Sequence, residues 1–343
     1  MRAVGYQEPR SISEAGYLVD IERPEPRPLG RDLLVEVKAV SVNPVDYKAR
    51  RRAIPDKGEW NVLGWDVAGT VAGVGPDVTL FKVGDEVFYA GDISRPGGNS
   101  ERHLIDERIV GRKPQSLSFV EAAALPLTAI TGWEVVFDRL DVKKPVPGVI
   151  PSILIIGGAG GVASITIQLV RQLTDLKVIA TASRPESKAW VTNLGAHHVI
   201  DHSKPLAREI EAQGIEAPGF VFSTTNSDDH AFEIAKLIAP QGRFALIDNP
   251  ASIDIVPFKP KSVSIHWEMM FTRPMFQTSD MAGQGDILNQ VSRLVDAGKI
   301  KTTLGEVFGK INAENLTRAH AALETGRTKG KIVLEGFDAI ATP

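Results

Sequence analysis

The sequence contains no cysteine. That excludes disulfides and every thiolate metal site, and it fits several compartments. There is no excess of positive charge either: 39 Lys and Arg against 42 Asp and Glu leave a net charge of −3. Nothing electrostatic therefore points to nucleic acid or an anionic membrane as partner. No apolar run reaches the ~18 residues of a membrane-crossing helix; Val149–Ile156 falls far short. The residues after Arg2, Ala3-Val4-Gly5-Tyr6-Gln7-Glu8, lack the apolar core of a signal peptide, so a cytoplasmic protein is the expectation. What is present is ordinary for a soluble globular chain, with 43% hydrophobic and 24% charged residues. A length of 343 residues corresponds to about two domains.

Residues 1 to about 125 read as mostly strand and turn. Leu33–Val40 alternates, with Glu36 and Lys38 on a charged outer face. Val67–Gly75 is apolar and glycine-rich, and Asp85–Tyr89 follows a Val83-Gly84-Asp85 turn. Short strands broken by glycine predict a partly closed barrel. The first helix is expected only at Phe119–Ala124, where Ser118 and Glu121 form a capping box. From about Thr128 the pattern changes. A helix, Ile130–Asp138, and the loop Lys143–Gly148 lead into an apolar strand at Ile153–Ile156. Strands at Val178–Ala182, Val199-Ile200, Gly219–Ser223 and Arg243–Ile247 then alternate with helices at Glu186–Leu194, Leu206–Gln213 and His230–Ile238. This alternation predicts βαβ units and a parallel sheet. After about Trp267 come a helix (Gly285–Ala297), the stretch Ile300–Phe308, a helix (Ala313–Thr325) and a strand (Lys331–Glu335). This piece is too small to stand alone and is expected to complete the N-terminal domain.

The richest signal is Ile156-Gly157-Gly158-Ala159-Gly160-Gly161-Val162-Ala163. Gly158, Gly160 and Ala163 fit G-x-G-x-x-G/A, directly after an apolar strand and directly before a helix with Val162, Ile165 and Leu169 on one face. A tight turn without ligand is the simpler reading of any glycine-rich turn, but the enclosing βαβ unit favours a dinucleotide site. Gly158 and Gly160 would let the backbone approach a pyrophosphate, and Ala159, Gly161 and Val162 would line it where the helix begins. The second strand ends Ala180-Thr181-Ala182-Ser183-Arg184, with no carboxylate for a ribose 2′-hydroxyl. Ser183 and Arg184, with Lys188 a turn further along, suit a 2′-phosphate instead, so NADPH is expected over NADH; the alternative is that the two cations are only solvated. Ser223-Thr224-Thr225-Asn226 follows another strand end, which places Thr224 among the cofactor candidates.

These features, taken with others, resemble the medium-chain dehydrogenase/reductase superfamily on its zinc-free quinone-oxidoreductase side, the type called bacterial "zinc-binding alcohol dehydrogenase family" proteins. The resemblance covers nearly the whole chain. It rests on Val42-Asn43-Pro44-Val45-Asp46-Tyr47-Lys48, Leu63-Gly64-Trp65-Asp66-Val67-Ala68-Gly69-Thr70-Val71, Val83–Val87, Ala122–Thr128 with Thr131 and Trp133, the glycine turn, and Gly326–Lys331. It implies an α/β fold in which a Rossmann doubly wound parallel sheet domain (128–266) is inserted into a GroES-like partly closed β-barrel catalytic domain (1–127 and 267–343), with the active site in the cleft between them. It also implies a homodimer, with Ile253–Val256 or Ser262–Ile265 as strands that could extend the sheet across a partner. Thr128, where the chain crosses between domains, and His202, where relatives often carry Tyr against the adenosine phosphate, become further cofactor candidates.

The zinc relatives ligate metal through Cys, His and Cys. The corresponding positions here are Asn43, Trp65 and Leu127, and Trp and Leu have no lone pair to give. The adjacent His197-His198 reads as a surface turn. No metal is expected. Without one, hydride transfer favours an acceptor that carries charge by conjugation, which points to a small-molecule quinone or enone. Asn43 and Tyr47 are the catalytic candidates; a turn role for Asn43 and core packing for Tyr47 are the competing readings. Asp46 is read as holding its loop. Trp267, Phe271 and Phe276 could line an acceptor pocket or pack in a core. The rival functions are a 2-alkenal or enoyl reductase, a carbonyl or alcohol oxidoreductase, and a non-catalytic NADPH-binding protein.

Overall fold

The structure, a computed structural model, describes residues 1–338. The chain divides into two compact units: Met1–Ile130 with the segment beginning at Phe271, and Thr131–Met270.

The first unit opens with β1 (Arg2–Tyr6), β2 (Val19–Glu22) and β3 (Asp32–Ser41), then α1 (Pro44–Arg52). Next come β4 (Asn61–Val62), β5 (Val67–Val74), β6 (Glu86–Tyr89), β7 (Arg102–Asp106), β8 (Gly111–Arg112), α2 (Phe119–Ala123) and α3 (Pro126–Trp133). Helix α1 corrects the expectation that no helix precedes Phe119. Its apolar face is weak because Lys48, Arg50, Arg51 and Arg52 crowd it, so periodicity conceals it. Its ends specify it instead. Asn43 is extended as N-cap, Pro44 supplies the fixed φ at the first turn, and the Asp46 carboxylate accepts the Asn43 N–H at 2.6 Å. The arginines fall in the last turn, favourable to the helix dipole. The capping box of Ser118 and Glu121 is present as expected. Helix α3 begins earlier than expected and continues as a π-helical turn, Glu134–Arg139. The helical stretch Phe119–Arg139 is long and apolar enough to cross a bilayer, yet 78% of its most apolar window is buried in the protein. It is a core segment by that measure.

The second unit contains β9 (Ser152–Ile156), α4 (Gly161–Leu173), β10 (Lys177–Thr181), α5 (Pro185–Asn193), β11 (His198–Ile200), α6 (Leu206–Ala212), β12 (Phe220–Ser223), α7 (Ser227–Leu237), β13 (Arg243–Leu246) and β14 (Ser264–Trp267). All pairings are parallel and the order is β11-β10-β9-β12-β13-β14. This is the doubly wound order of dinucleotide folds. Ile153 and Ile155 enter one apolar cluster while Leu154 and Ile156 enter another, so β9 is buried on both faces. Each such side chain contributes roughly 1.5–3 kcal/mol of burial. Helix α7 starts three residues before the expected His230, because Asp248 accepts both the N–H (2.8 Å) and the hydroxyl (2.5 Å) of Ser227. Ile253–Val256 is not a strand; Val256 opens a 3-10 turn to Lys261, and Ser264–Trp267 forms the edge strand. His197 and His198 are not in a turn. His198 lies in β11, and the Nδ1 of His197 accepts the Val178 N–H at 2.8 Å.

The chain then returns to the first unit through α8 (Thr272–Phe276), α9 (Gly283–Asp296), β15 (Leu304–Lys310), α10 (Ala313–Glu324) and β16 (Lys331–Glu335). Strand β16 pairs antiparallel with β3, inside the sheet β15-β16-β3-β5-β6-β8. The C-terminal segment thus completes the N-terminal sheet.

Candidate functional site

In the second unit the carboxyl end of β9 runs into the glycine turn. Each glycine there meets a different constraint. Gly157 has φ +78°, and a Cβ on it would lie 2.4 Å from the Thr224 hydroxyl. A Cβ on Gly158 would lie 2.7 Å from the Thr181 carbonyl and 3.1 Å from Val191. Gly158 is therefore small because the turn packs on β10 and α5. On Gly160 a Cβ would find only the Gly157 carbonyl, at 3.3 Å, so this is the position where the missing side chain leaves room for a ligand. Gly160 is also the N-cap of α4 and offers no side-chain cap to its first N–H groups. Ala159, Gly161 and Val162 are half-buried around it, while Ala163 is wholly buried against the sheet. An open backbone at the uncapped start of a helix fits a pyrophosphate. Thr224 closes the turn by donating to the Ile156 carbonyl at 2.9 Å.

One strand over, Ser183 and Arg184 follow the end of β10, and Arg184 is the N-cap of α5. Glu186 lies in the first turn of α5, beyond the strand end. Arg184 pairs with Glu186 at 3.3 Å, and Lys188 reaches Asp201 at 3.7 Å. The Arg184 pair is exposed on both sides and Lys188 is itself exposed at a long distance, so both cations are held loosely. His202 follows β11 and places Nε2 3.4 Å from the Ser183 hydroxyl. Its Nδ1 is buried without a partner. Ser183, Arg184, Lys188 and His202 thus gather at one corner of the sheet.

In the first unit the expected catalytic pair lies on the α1 entry. Asn43 is buried, and its amide nitrogen donates to Asp66 at 3.1 Å and to the Trp65 carbonyl at 3.3 Å. Its amide oxygen accepts from the ammonium of Lys331. Lys331 also donates to the Val42 carbonyl at 2.9 Å and pairs with Asp66 at 3.0 Å. Asp66 accepts the Leu127 N–H at 3.0 Å, and Asp46 accepts the Gly64 N–H at 3.2 Å. Burial pushes Asp46 up to about 7 against the opposing bonds from Asn43, and raises Asp66 against the pull of Lys331. Asp46 holds the loop, as expected. Asn43 is engaged by protein groups on both ends of its amide. Tyr47 is half-buried beside Arg51, and burial raises its phenol. Thr128 turns its hydroxyl back to the Leu125 carbonyl at 3.0 Å. Phe271 packs edge-on against Trp65, whereas Trp267 and Phe276 are exposed at 55% and 72%; a shared aromatic core of these three is not formed.

Asp66 and Lys331 lie in motifs of the resemblance, and neither has a role that its local sequence announces. The available signal was a charge set directly against apolar runs, Asp66 before Val67-Ala68 and Lys331 before Ile332-Val333-Leu334.

An alcohol dehydrogenase GroES-like domain matches residues 30–133, and a zinc-binding dehydrogenase domain matches residues 194–334. A zinc-type alcohol dehydrogenase-like protein of Staphylococcus aureus is 38% identical over 97% of this chain and 99% of its own. A solved Rhizobium etli protein, described as a zinc-dependent alcohol dehydrogenase, is 65% identical with a TM-score of 0.97 over 99% of both chains. The chain belongs to the medium-chain dehydrogenase/reductase superfamily. A more distant relative, the chloroplastic NADPH-dependent alkenal/one oxidoreductase of Arabidopsis thaliana, is 28% identical over 88% of this chain and 71% of its own.

The superfamily's zinc does not fit the residues present. Of the three ligand positions implied by the resemblance, Leu127 has no donor, the Trp65 indole donates to the Asp92 carbonyl at 3.3 Å, and the Asn43 oxygen is taken by an ammonium. Among the described residues no group of three His, Cys, Asp or Glu could hold a metal.

Proposed function

We propose that this member of the superfamily is an NADPH-dependent, zinc-independent reductase of quinones or activated enones. The observation that carries the reading is the Lys331–Asn43–Asp66 cluster. It fills with a fixed ammonium the neighbourhood of the three positions where zinc relatives place metal ligands. A simple alcohol or aldehyde needs a Lewis acid to stabilise its oxyanion, whereas a conjugated acceptor spreads the charge itself. When bound, NADPH supplies the hydride. The open backbone at Gly160 would hold its pyrophosphate, and Ser183, Arg184 and Lys188 its 2′-phosphate. The Tyr47 phenol, with no hydrogen bond of its own among those described, is the candidate donor toward the acceptor oxygen. The name of the Arabidopsis relative supports both the cofactor and the enone class.

The test is NADPH oxidation by chelator-washed enzyme against 1,4-quinones, 2-alkenals and simple aldehydes, with metal content measured on the same sample. Turnover of the first two classes without zinc is expected. Stoichiometric zinc would sink the metal-free reading, and equal turnover of simple aldehydes would sink the substrate class. Tight NADPH binding with no turnover on any acceptor would favour the non-catalytic alternative.

A further inference from the structure

The first unit contains a small cavity that belongs to neither of the clusters described above. Its volume is about 130 Å³, and Ala3, Val62 and Leu104 line it together with Arg23, Arg95 and Arg102. None of Asn43, Tyr47, Asp66 or Lys331 lines it. Hydrogen bonds tie the walls together. The Gly97 N–H donates to the Val62 carbonyl at 2.8 Å, and the Ser100 hydroxyl donates to the Arg102 carbonyl at 2.8 Å. His103 Nε2 lies 2.9 Å from the Pro96 carbonyl. The cavity is therefore built into the fold of this unit. It is far below the ~300–1,000 Å³ of a site for a drug-sized ligand. It is close to the roughly 150 Å³ of an apolar cavity that accepts benzene, so the occupant that fits has about six heavy atoms.

The three arginines are unequally neutralised. Arg95 is satisfied by Asp32, whose two oxygens accept from its terminal nitrogens at 2.8 and 3.0 Å. Arg102 is not. Its Nη1 reaches Glu36 only at 3.4 Å, while Lys38 already holds Glu36 at 2.6 Å, and its Nε is 4.0 Å from Glu25. Arg102 Nη1 is enclosed with no partner at hydrogen-bonding geometry. Arg23 has no carboxylate within ion-pairing distance among the described residues; its Nη1 meets the Trp60 carbonyl at 3.5 Å. An apolar cavity flanked by two under-neutralised guanidinium groups matches a ligand with an apolar tail and one anionic head, and a planar carboxylate suits the guanidinium fork. A phosphate head would fill most of the space and leave no tail to bury. We propose that this cavity binds a short-chain carboxylate, its tail among Ala3, Val62 and Leu104 and its head at Arg23 and Arg102. The site is separate from the nucleotide corner and from the Lys331–Asn43–Asp66 cluster, and it does not depend on the function proposed above.

The experiment is a saturation-transfer NMR titration of the full chain with butyrate, butyramide and formate, at constant ionic strength with chloride as the balancing anion. Butyramide keeps the tail without the charge, and formate keeps the charge without the tail. Butyrate should saturate with a dissociation constant on the order of millimolar, and each of the other two should bind at least about tenfold more weakly. Arg23→Gln and Arg102→Gln should each weaken butyrate by roughly tenfold, and Arg23→Lys should keep more of the affinity than Arg23→Gln does. Melting temperatures near the wild-type value report that the variants remain folded; the comparison of the three ligands on the wild type decides the matter without them. Butyramide binding as tightly as butyrate would show that no charge is read, and formate binding as tightly would show that no cavity is filled; either result overturns the proposal. Butyrate affinity that survives both glutamine variants and falls in Arg184→Glu would place the anion at the nucleotide corner and overturn it as well. So would the absence of saturable butyrate binding.

Discussion

Arg184 and Lys331 show how differently two cations can be placed. Arg184 is loosely paired with Glu186, both side chains being well exposed (41% and 56%), and such a pair contributes about 0–1 kcal/mol. Arg184→Glu should therefore leave thermal stability nearly unchanged while replacing attraction for a 2′-phosphate by repulsion. Its NADPH dissociation constant should rise roughly ten- to hundredfold, with NADH altered less than about threefold; fluorescence titration of both nucleotides reads this directly, and a uniform loss would contradict the assignment. Lys331 is the opposite case. Its side chain is 4% exposed and its partner Asp66 is fully buried. Lys331→Met leaves that carboxylate unpaired and should destabilise the chain by about 3–5 kcal/mol. Adding Asp66→Asn removes the orphaned charge, so the double variant should be more stable than Lys331→Met alone. A denaturant-based double-mutant cycle tests this, and simple additivity would show that the pair does not act as a unit.

At the scale of the element, the glycine turn separates packing from ligand space. Gly158→Ala forces a Cβ against the Thr181 carbonyl and Val191, and should cost about 1–3 kcal/mol of stability. Gly160→Ala meets only a carbonyl that can shift slightly, at φ −70°. It should melt close to the wild type and yet bind NADPH at least tenfold more weakly, as measured by melting temperature and titration on the same samples. Weak binding with a matching loss of stability would mean that Gly160 too is a packing residue. This turn was legible in the sequence because its signals are local: an apolar strand, four glycines and a helix in succession. The parallel sheet was legible because β9, β10, β12 and β13 are short apolar runs that alternate with helical stretches. Helix α1 was not legible by periodicity, since its character lies in the Asn43–Asp46 cap and not in an apolar stripe. The pairing of Lys331 with Asp66 joins residues far apart in sequence, through β16 lying beside β3. No local pattern reports such a contact. The start of α7 was missed for a similar reason, because Asp248 caps it from the end of the next strand.

For the whole molecule, the buried titratable groups of the first unit predict how stability depends on pH. Asp46 has its folded value raised to about 7 by burial, far above the ~3.9 of an unfolded aspartate. In that interval the folded chain holds a proton that the unfolded chain has released, so this group's contribution to stability declines as pH rises toward 7 and is lost above it. Asp66 is shifted in the same direction. His103 and His320 act oppositely: burial depresses both to about 4, so the unfolded chain binds more protons below about pH 6.5 and stability there increases with pH. The two effects offset one another between about pH 4 and 6.5. The unfolded histidines go on releasing protons up to about pH 7.5, so the Asp46 contribution is read against a variant that lacks it. Relative to Asp46→Asn, the wild type should lose on the order of 1–2 kcal/mol of unfolding free energy between pH 6 and 8.5, read as a shrinking difference between their urea midpoints at unchanged slope. Asp46→Asn cannot ionise and should keep the gain that the histidines give over the same range, even if it is less stable throughout because an amide serves the Asn43 and Gly64 N–H groups less well than a carboxyl does. A difference between the two that stays constant from pH 6 to 8.5 would mean that Asp46 is ionised in the folded chain at neutral pH, compensated by Lys331, and that the cluster carries one more negative charge than its burial implies.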